Sequence, residues 1–193
     1  MSVLNDIDEW NIEKVNLLIT QRTNLDVQNK IGQTALIWAC YENNTEIARM
    51  LIIKGANLDL QDKDGRTALM WVCLYNNTKL AKILKDNKVN LDIQAKNGRT
   101  ALMINCISGS NNKKIVKMLI DPKNGIKANL DLQDKYGQTA LMYACIYSHT
   151  EIVELLIDNN ANLDIQNNDG WSALMWECDH SCIEIVSFIL ETL

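Results

Sequence analysis

Two histidines, His149 and His180, and six cysteines are what this chain of 193 residues offers for nucleophilic, acid–base or metal chemistry. The tightest grouping is Cys178-Asp179-His180-Ser181-Cys182, which carries the thiol, carboxylate and imidazole groups that bind zinc. No second ligand pair with metal spacing follows it. Cys178 also belongs to a regular series with Cys40, Cys73, Cys106 and Cys145. Stacked helix pairs lie about 8–10 Å apart, whereas a disulfide needs Cα atoms within about 7 Å, so neighbours in this series cannot bridge. They read as small apolar fillers, thiols kept reduced. The glycines are isolated, so there is no phosphate-cradling loop. The expectation is a chain that is not an enzyme, with no metal and no cofactor.

The elements that carry these residues recur. The phrase Leu-Asp-x-Gln, three residues, Gly, then x-Thr/Ser-Ala-Leu and a large apolar residue occurs five times from Leu25 onward. Its glycines are Gly32, Gly65, Gly98, Gly137 and Gly170, spaced 33, 33, 39 and 33 residues apart. Such a period marks stacked repeats, which offer an extended recognition surface rather than an enclosed pocket. Within one unit, Gln61-Asp62-Lys63-Asp64-Gly65 reads as a turn, because Asp and Gly suit tight bends. Thr67 is placed to N-cap a helix over Ala68 to Tyr75. Asn76-Asn77 interrupt, and Thr78 to about Lys85 forms a second helix with Leu80, Ala81, Ile83 and Leu84 apolar. Helices of about two turns do not persist alone in water. Their stability has to come from neighbouring units.

This register resembles that of ankyrin-repeat proteins. The resemblance implies an all-α fold, a solenoid of helix-turn-helix pairs with hairpin-like connecting loops. It covers residues 1–193 as one domain: an N-terminal cap at 1–24, repeats at 25–57, 58–90, 91–129 and 130–162, and a C-terminal capping repeat at 163–193. In the cap, Leu17, Leu18 and Ile19 take the places that Met50, Leu51 and Ile52 fill one period later. The family's Thr-Pro-Leu-His becomes Thr34-Ala35-Leu36-Ile37 and its counterparts, so a thioether or alkyl contact replaces the Thr–His hydrogen bond. The family's glycine between the helices is Asn43, Asn76, Ser148 or Ser181, and its glycine after the second helix survives only as Gly55, with Lys88 and Asn160 elsewhere. A lysine held at positive φ costs on the order of 1 kcal/mol relative to Gly. The position that asparaginyl hydroxylases modify in many such repeats is Asp26, Asp59, Asp92, Asp131 and Asp164 here, so no hydroxylation site carries over.

The third repeat has six extra residues, two around Ser108 to Asn112 and four in Asp121 to Lys127. They read either as a tolerated surface bulge or as part of a binding face. The net charge of −5 argues against nucleic-acid binding, which wants a basic footprint. No apolar run is long enough for a membrane helix, and the polar, acidic N-terminus does not resemble a signal peptide. An intracellular protein, cytoplasmic or nuclear, is expected.

The resemblance implies that a partner protein sits on a face made of loop tips and the exposed ends of the first helices. On that face Tyr41, Leu74, Tyr75, Ile107, Ile146 and Tyr147 make an apolar stripe, the kind of surface that marks interaction sites. The alternative is that several of them pack on the next repeat. The fingers present Lys63, Arg66, Lys96, Arg99 and Lys135, a basic row that suits a partner of acidic character, together with Tyr136 and Trp171. Trp38, Trp71, Tyr143 and Trp176 recur at one place, broken by Ile104, and read as packing between repeats. The abundance of Asn, Ile and Lys and the wording of the repeats resemble arrays of large DNA viruses, protists and intracellular bacteria. That implies a host or regulatory protein as partner. The expected chain is a monomeric, non-catalytic binding module. The competing expectation is a structural or self-associating scaffold that uses its terminal faces, where the last helix ends on Phe188, Ile189, Leu190 and Leu193.

Overall fold

The computed structural model describes residues 10–21, 24–108, 113–122 and 126–179. Among these residues there are ten helices and no strand. A single helix, α1 (Ile12–Gln21), comes first. Four pairs follow: α2 (Ala35–Tyr41) with α3 (Thr45–Ile53), α4 (Ala68–Leu74) with α5 (Thr78–Asp86), α6 (Ala101–Ile107) with α7 (Lys113–Ile120), and α8 (Ala140–Ile146) with α9 (Thr150–Asp158). The last described helix is α10 (Ala173–Asp179). α2, α4, α6, α8 and α10 pack in series as one layer, and α1, α3, α5, α7 and α9 run beside them as a second. The paired, stacked, all-α arrangement implied by the resemblance is the one found.

Local chemistry explains each pair. Thr67 is extended, and its hydroxyl accepts the Met70 N–H, capping α4; Thr34, Thr100 and Thr139 do the same for α2, α6 and α8. These seven-residue helices are buried almost all round: Ala68, Leu69, Met70, Trp71, Val72 and Cys73 of α4 all lie in the core. The second-layer helices are amphipathic. α5 buries Leu80, Ala81 and Leu84 and turns Lys79, Lys82 and Asp86 to solvent. Burying one such side chain contributes about 1.5–3 kcal/mol, and only neighbouring pairs supply the surface to bury it against.

The turns follow the expected chemistry. Asn43, Asn76 and Ser148 adopt φ of 56°, 56° and 53° between the helices of a pair, and Gly55, Lys88 and Asn160 adopt 87°, 62° and 64° after the second helix. α4 stops at Leu74 and Tyr75 is its C-cap, one residue earlier than the sequence reading. In the third repeat the thioether replacement is visible, since Met103 Sδ accepts the Thr100 N–H at 3.5 Å. Most of the third repeat's extra segment lies outside the described residues.

Two buried polar devices tie units together. Trp10 is buried, and its Nε1–H donates to the Gln33 carbonyl at 2.7 Å, seating the chain before α1 on the first finger. Lys85 is buried too. Its ammonium donates to the Met118 and Asp121 carbonyls at the end of α7, satisfying acceptors that a helix terminus leaves open. Burial lowers the Lys85 pKa from its ordinary value.

Candidate functional site

The hairpin loops, or fingers, are rigid because each is tied to itself and to the next. In the second finger the Asp62 carboxylate accepts the N–H groups of Asp64 and Arg66 at 2.9 and 2.8 Å, and Gly65 turns the chain at φ +76°. A Cβ on Gly65 would lie 2.7 Å from the Lys96 nitrogen, so finger backbones touch. Main-chain bonds run along the row: Lys63 N–H to Ile31, Lys96 to Asp64, Lys135 to Asn97 and Asn168 to Tyr136, at 2.9–3.1 Å.

The repeated Leu-Asp-x-Gln phrase supplies two further ladders. The amides of Gln28, Gln61, Gln94 and Gln133 each donate to the glycine carbonyl of their own finger and to the carbonyl of the next glutamine. Asp26, Asp59, Asp92 and Asp131 each accept the N–H of the asparagine one unit on, at 2.8–2.9 Å. In the sequence these residues mark the period, and the structure adds why they recur. Their spacing of about one unit was the available signal.

Behind the fingers lie the first-helix ends. Tyr41, Leu74, Tyr75 and Tyr147 are each 42–48 % exposed, whereas Ile107 and Ile146 are half-buried against the core. The stripe is therefore interrupted at its two isoleucines, which pack inward. Tyr41 meets Trp71 edge-on at 5.0 Å and Tyr75 at 6.2 Å, and Tyr75 stacks on Trp71 at 6.2 Å. Burial raises the Tyr75 pKa, with Tyr41 and Glu42 adding to the shift. Tyr147 stacks with His149 at 6.1 Å. At the far end Trp171 packs on Trp176 at 4.7 Å, and Tyr136 stands exposed at the fourth fingertip.

The two finger arginines behave differently. Arg66 lies over the ring of Trp71, 4.8 Å from its centroid, in its own repeat. Arg99 finds Ile104 there and instead reaches Tyr143, 5.1 Å from its ring and 3.0 Å from its hydroxyl, with Asp134 Oδ2 3.6 Å away. Two hollows result. A cleft of about 650 Å³ between the first two fingers is lined by Trp10, Trp38, Tyr41, Trp71, Asp62 and Arg66, among others. A smaller one, about 130 Å³, lies between the second and third repeats and takes in Leu74, Ala95, Ile104 and Ile107 with both arginines. Sequence reasoning missed Trp10 and Ala95 as contributors. Ala95 was detectable as the one finger base without an Asn or Asp.

The Cys178-to-Cys182 grouping lies outside the residues whose side chains are described. Among the described residues no three His, Cys, Asp or Glu side chains gather as metal ligands, and no helix is long and apolar enough to cross a membrane. Cys40, Cys73, Cys106 and Cys145 are buried thiols, and desolvation pushes the Cys106 pKa up to about 12.

No curated protein matches the chain. The family model described as "Ankyrin repeats (3 copies)" matches residues 7–92, 49–131 and 106–192. Ankyrin repeats are generally protein–protein interaction modules, and the family is typically non-catalytic. With matches from residue 7 to residue 192 over stacked helix pairs and laddered fingers, the chain belongs to the ankyrin-repeat family.

Proposed function

We propose that this chain is a non-catalytic binding module whose protein partner lies along the fingers and first-helix ends of repeats one to four. Residues 1–193 act as one array, with the cap and repeat limits set out above. The observation that carries the reading is the exposed Tyr41–Tyr75 pair resting on Trp71. Aromatic side chains give large contact area at low entropy cost and dominate binding energy when a partner covers them. Tyr147, Tyr136 and Trp171 extend the surface, and Lys63, Lys96 and Lys135 are exposed on the fingers beside Arg66 and Arg99. An intracellular host or regulatory protein with an acidic contact surface fits this face.

The test replaces Tyr75 and Tyr147 together by Ser and compares crosslinked captures from cell extract with those of the parent chain. A partner recovered by the parent and lost by the folded variant is expected. Equal recovery by both, with unchanged circular dichroism and thermal melt, overturns the reading. Concentration-dependent mass in light scattering would instead favour a self-associating scaffold.

A further inference from the structure

The third repeat departs from the array's pattern at two positions that meet in space. The finger base, Asn29, Asp62, Asp134 or Asn167 in the other repeats, is Ala95. The ring of the aromatic column, Trp38, Trp71, Tyr143 or Trp176 elsewhere, is Ile104. Both changes remove volume, and the guanidinium that would cover an in-repeat ring is drawn off to Tyr143 and Asp134 of the fourth repeat. What remains is the hollow of about 130 Å³, walled by Met70, Trp71, Leu74, Ala95, Ile104 and Ile107. An apolar cavity of roughly 150 Å³ takes a benzene ring, so this one suits a single aliphatic or small aromatic side chain.

Its rim is basic. Arg66 and Arg99 flank the opening, and on the fingers above the exposed Lys63 and Lys96 outnumber the exposed Asp64. Arg99 is offset by the buried Asp134 carboxylate at 3.6 Å, whereas Arg66 makes a cation–π contact and no ion pair among the described residues. An apolar hole edged by a guanidinium that forms no ion pair among the described residues selects an apolar side chain that has carboxylates beside it.

We propose that this notch between the second and third repeats seats one apolar side chain of a partner segment whose neighbouring residues are acidic and bind Arg66. The inference rests on the finger-face reading above and assigns its anchor point. Leu74 and Ile107 contribute as walls of the hole, and Tyr41, Tyr75 and Tyr147 lie outside it.

The probe is a phage-displayed library of short random peptides panned on the whole chain. Enriched peptides are expected to carry an aliphatic or aromatic residue with Asp or Glu close to it. Ile104→Trp, which restores the ring the other repeats carry, should weaken those peptides about tenfold or more. Ala95→Asp, which restores the finger-base carboxylate, should weaken them as well. Arg66→Gln should weaken them severalfold and flatten their salt dependence. All three follow residues the array tolerates elsewhere, and a thermal melt checks the fold. Failure to enrich any peptide, enrichment of peptides without acidic residues, or binding indifferent to Ile104→Trp overturns the proposal. Peptides lost on Tyr75→Ser/Tyr147→Ser but indifferent to Ile104→Trp would sink the notch and leave the finger face standing. Peptides indifferent to both would sink the two readings together.

Discussion

The Tyr143 hydroxyl donates to Asp134 Oδ2 at 2.6 Å while accepting from the Arg99 guanidinium at 3.0 Å, so one phenol joins the third finger to the fourth. Asp134 Oδ1 meanwhile holds its own turn, accepting the N–H groups of Tyr136 and Gln138 at 2.9 and 3.0 Å. Burial pushes the Tyr143 pKa up to about 12, and the Asp134 hydrogen bond adds to the shift.

A pH dependence follows. A tyrosine ionises near pH 10 when unfolded, so the folded chain holds this proton more tightly. That stability is present in full below about pH 10 and is lost as pH rises through about 12. Tyr143→Phe is expected to lower stability by roughly 1–3 kcal/mol at neutral pH, because Asp134 and Arg99 lose a partner. It should also remove part of the alkaline loss. Urea unfolding at stepped pH, with phenolate absorbance as a second readout, checks both; an alkaline limb identical in the parent and in Tyr143→Phe would count against the assignment.

The glutamine ladder predicts a modest, repeatable cost. Gln61→Ala removes donors from the Gly65 and Gln94 carbonyls. At about 0.5–1.5 kcal/mol per bond, and with Gln61 exposed, a loss of roughly 1–2 kcal/mol is expected. A similar loss is expected at Gln94 and Gln133. Urea midpoints for the three variants measure it, and no loss at any of them would mean water replaces these bonds without penalty.

Glycines at two places should respond differently. Gly65→Ala puts a methyl 2.7 Å from the Lys96 nitrogen, on a neighbouring backbone that cannot yield without breaking the finger row. Gly55→Ala meets nothing within 4 Å and carries only the left-handed backbone penalty, about 1 kcal/mol. Lys88→Gly removes that same penalty and is expected to stabilise by up to about 1 kcal/mol. Thermal melts should therefore rank Lys88→Gly above the parent, Gly55→Ala below it and Gly65→Ala lowest.

The buried thiols predict a protection pattern. Burial raises the pKa of Cys40, Cys73 and Cys106, so little thiolate forms at mildly alkaline pH. These three are expected to resist iodoacetamide in the folded chain and to react together on unfolding, as read by peptide mass spectrometry. Rapid labelling of Cys106 in the folded protein would contradict its place in the core.

The sequence carried the fold through features that act locally or periodically. Thr67 as a cap, Asn76 and Lys88 as positive-φ positions, and the 33-residue spacing of Gly32 and Gly65 are each legible from residue type and interval. The candidate site was legible only in part, because exposure depends on what the next unit places beside a residue. Tyr41 and Tyr75 stand out to solvent, while Ile107, at the same helix position as Tyr41, folds down beside the space left by Ile104. Arg99 reaches a ring 44 residues away, a contact that no local pattern signals. Lys85 shares its amphipathic helix with the exposed Lys79 and Lys82, yet it is buried because its ammonium meets the open carbonyls of α7.

In the third repeat the Gln94–Gln133 bond spans 39 residues where Gln61–Gln94 spans 33, and the Asp92–Asn129 bond spans 37 where Asp59–Asn90 spans 31. Both close at ordinary lengths of 2.8–3.0 Å regardless. Even doubling a connection costs only about 0.6 kcal/mol of closure entropy, so six added residues weigh little against the clasp on either side. Chain length and rung spacing are thus uncoupled at this point. A fluorophore-bearing segment or an affinity handle spliced there should leave the Gln94–Gln133 and Asp92–Asn129 rungs closed.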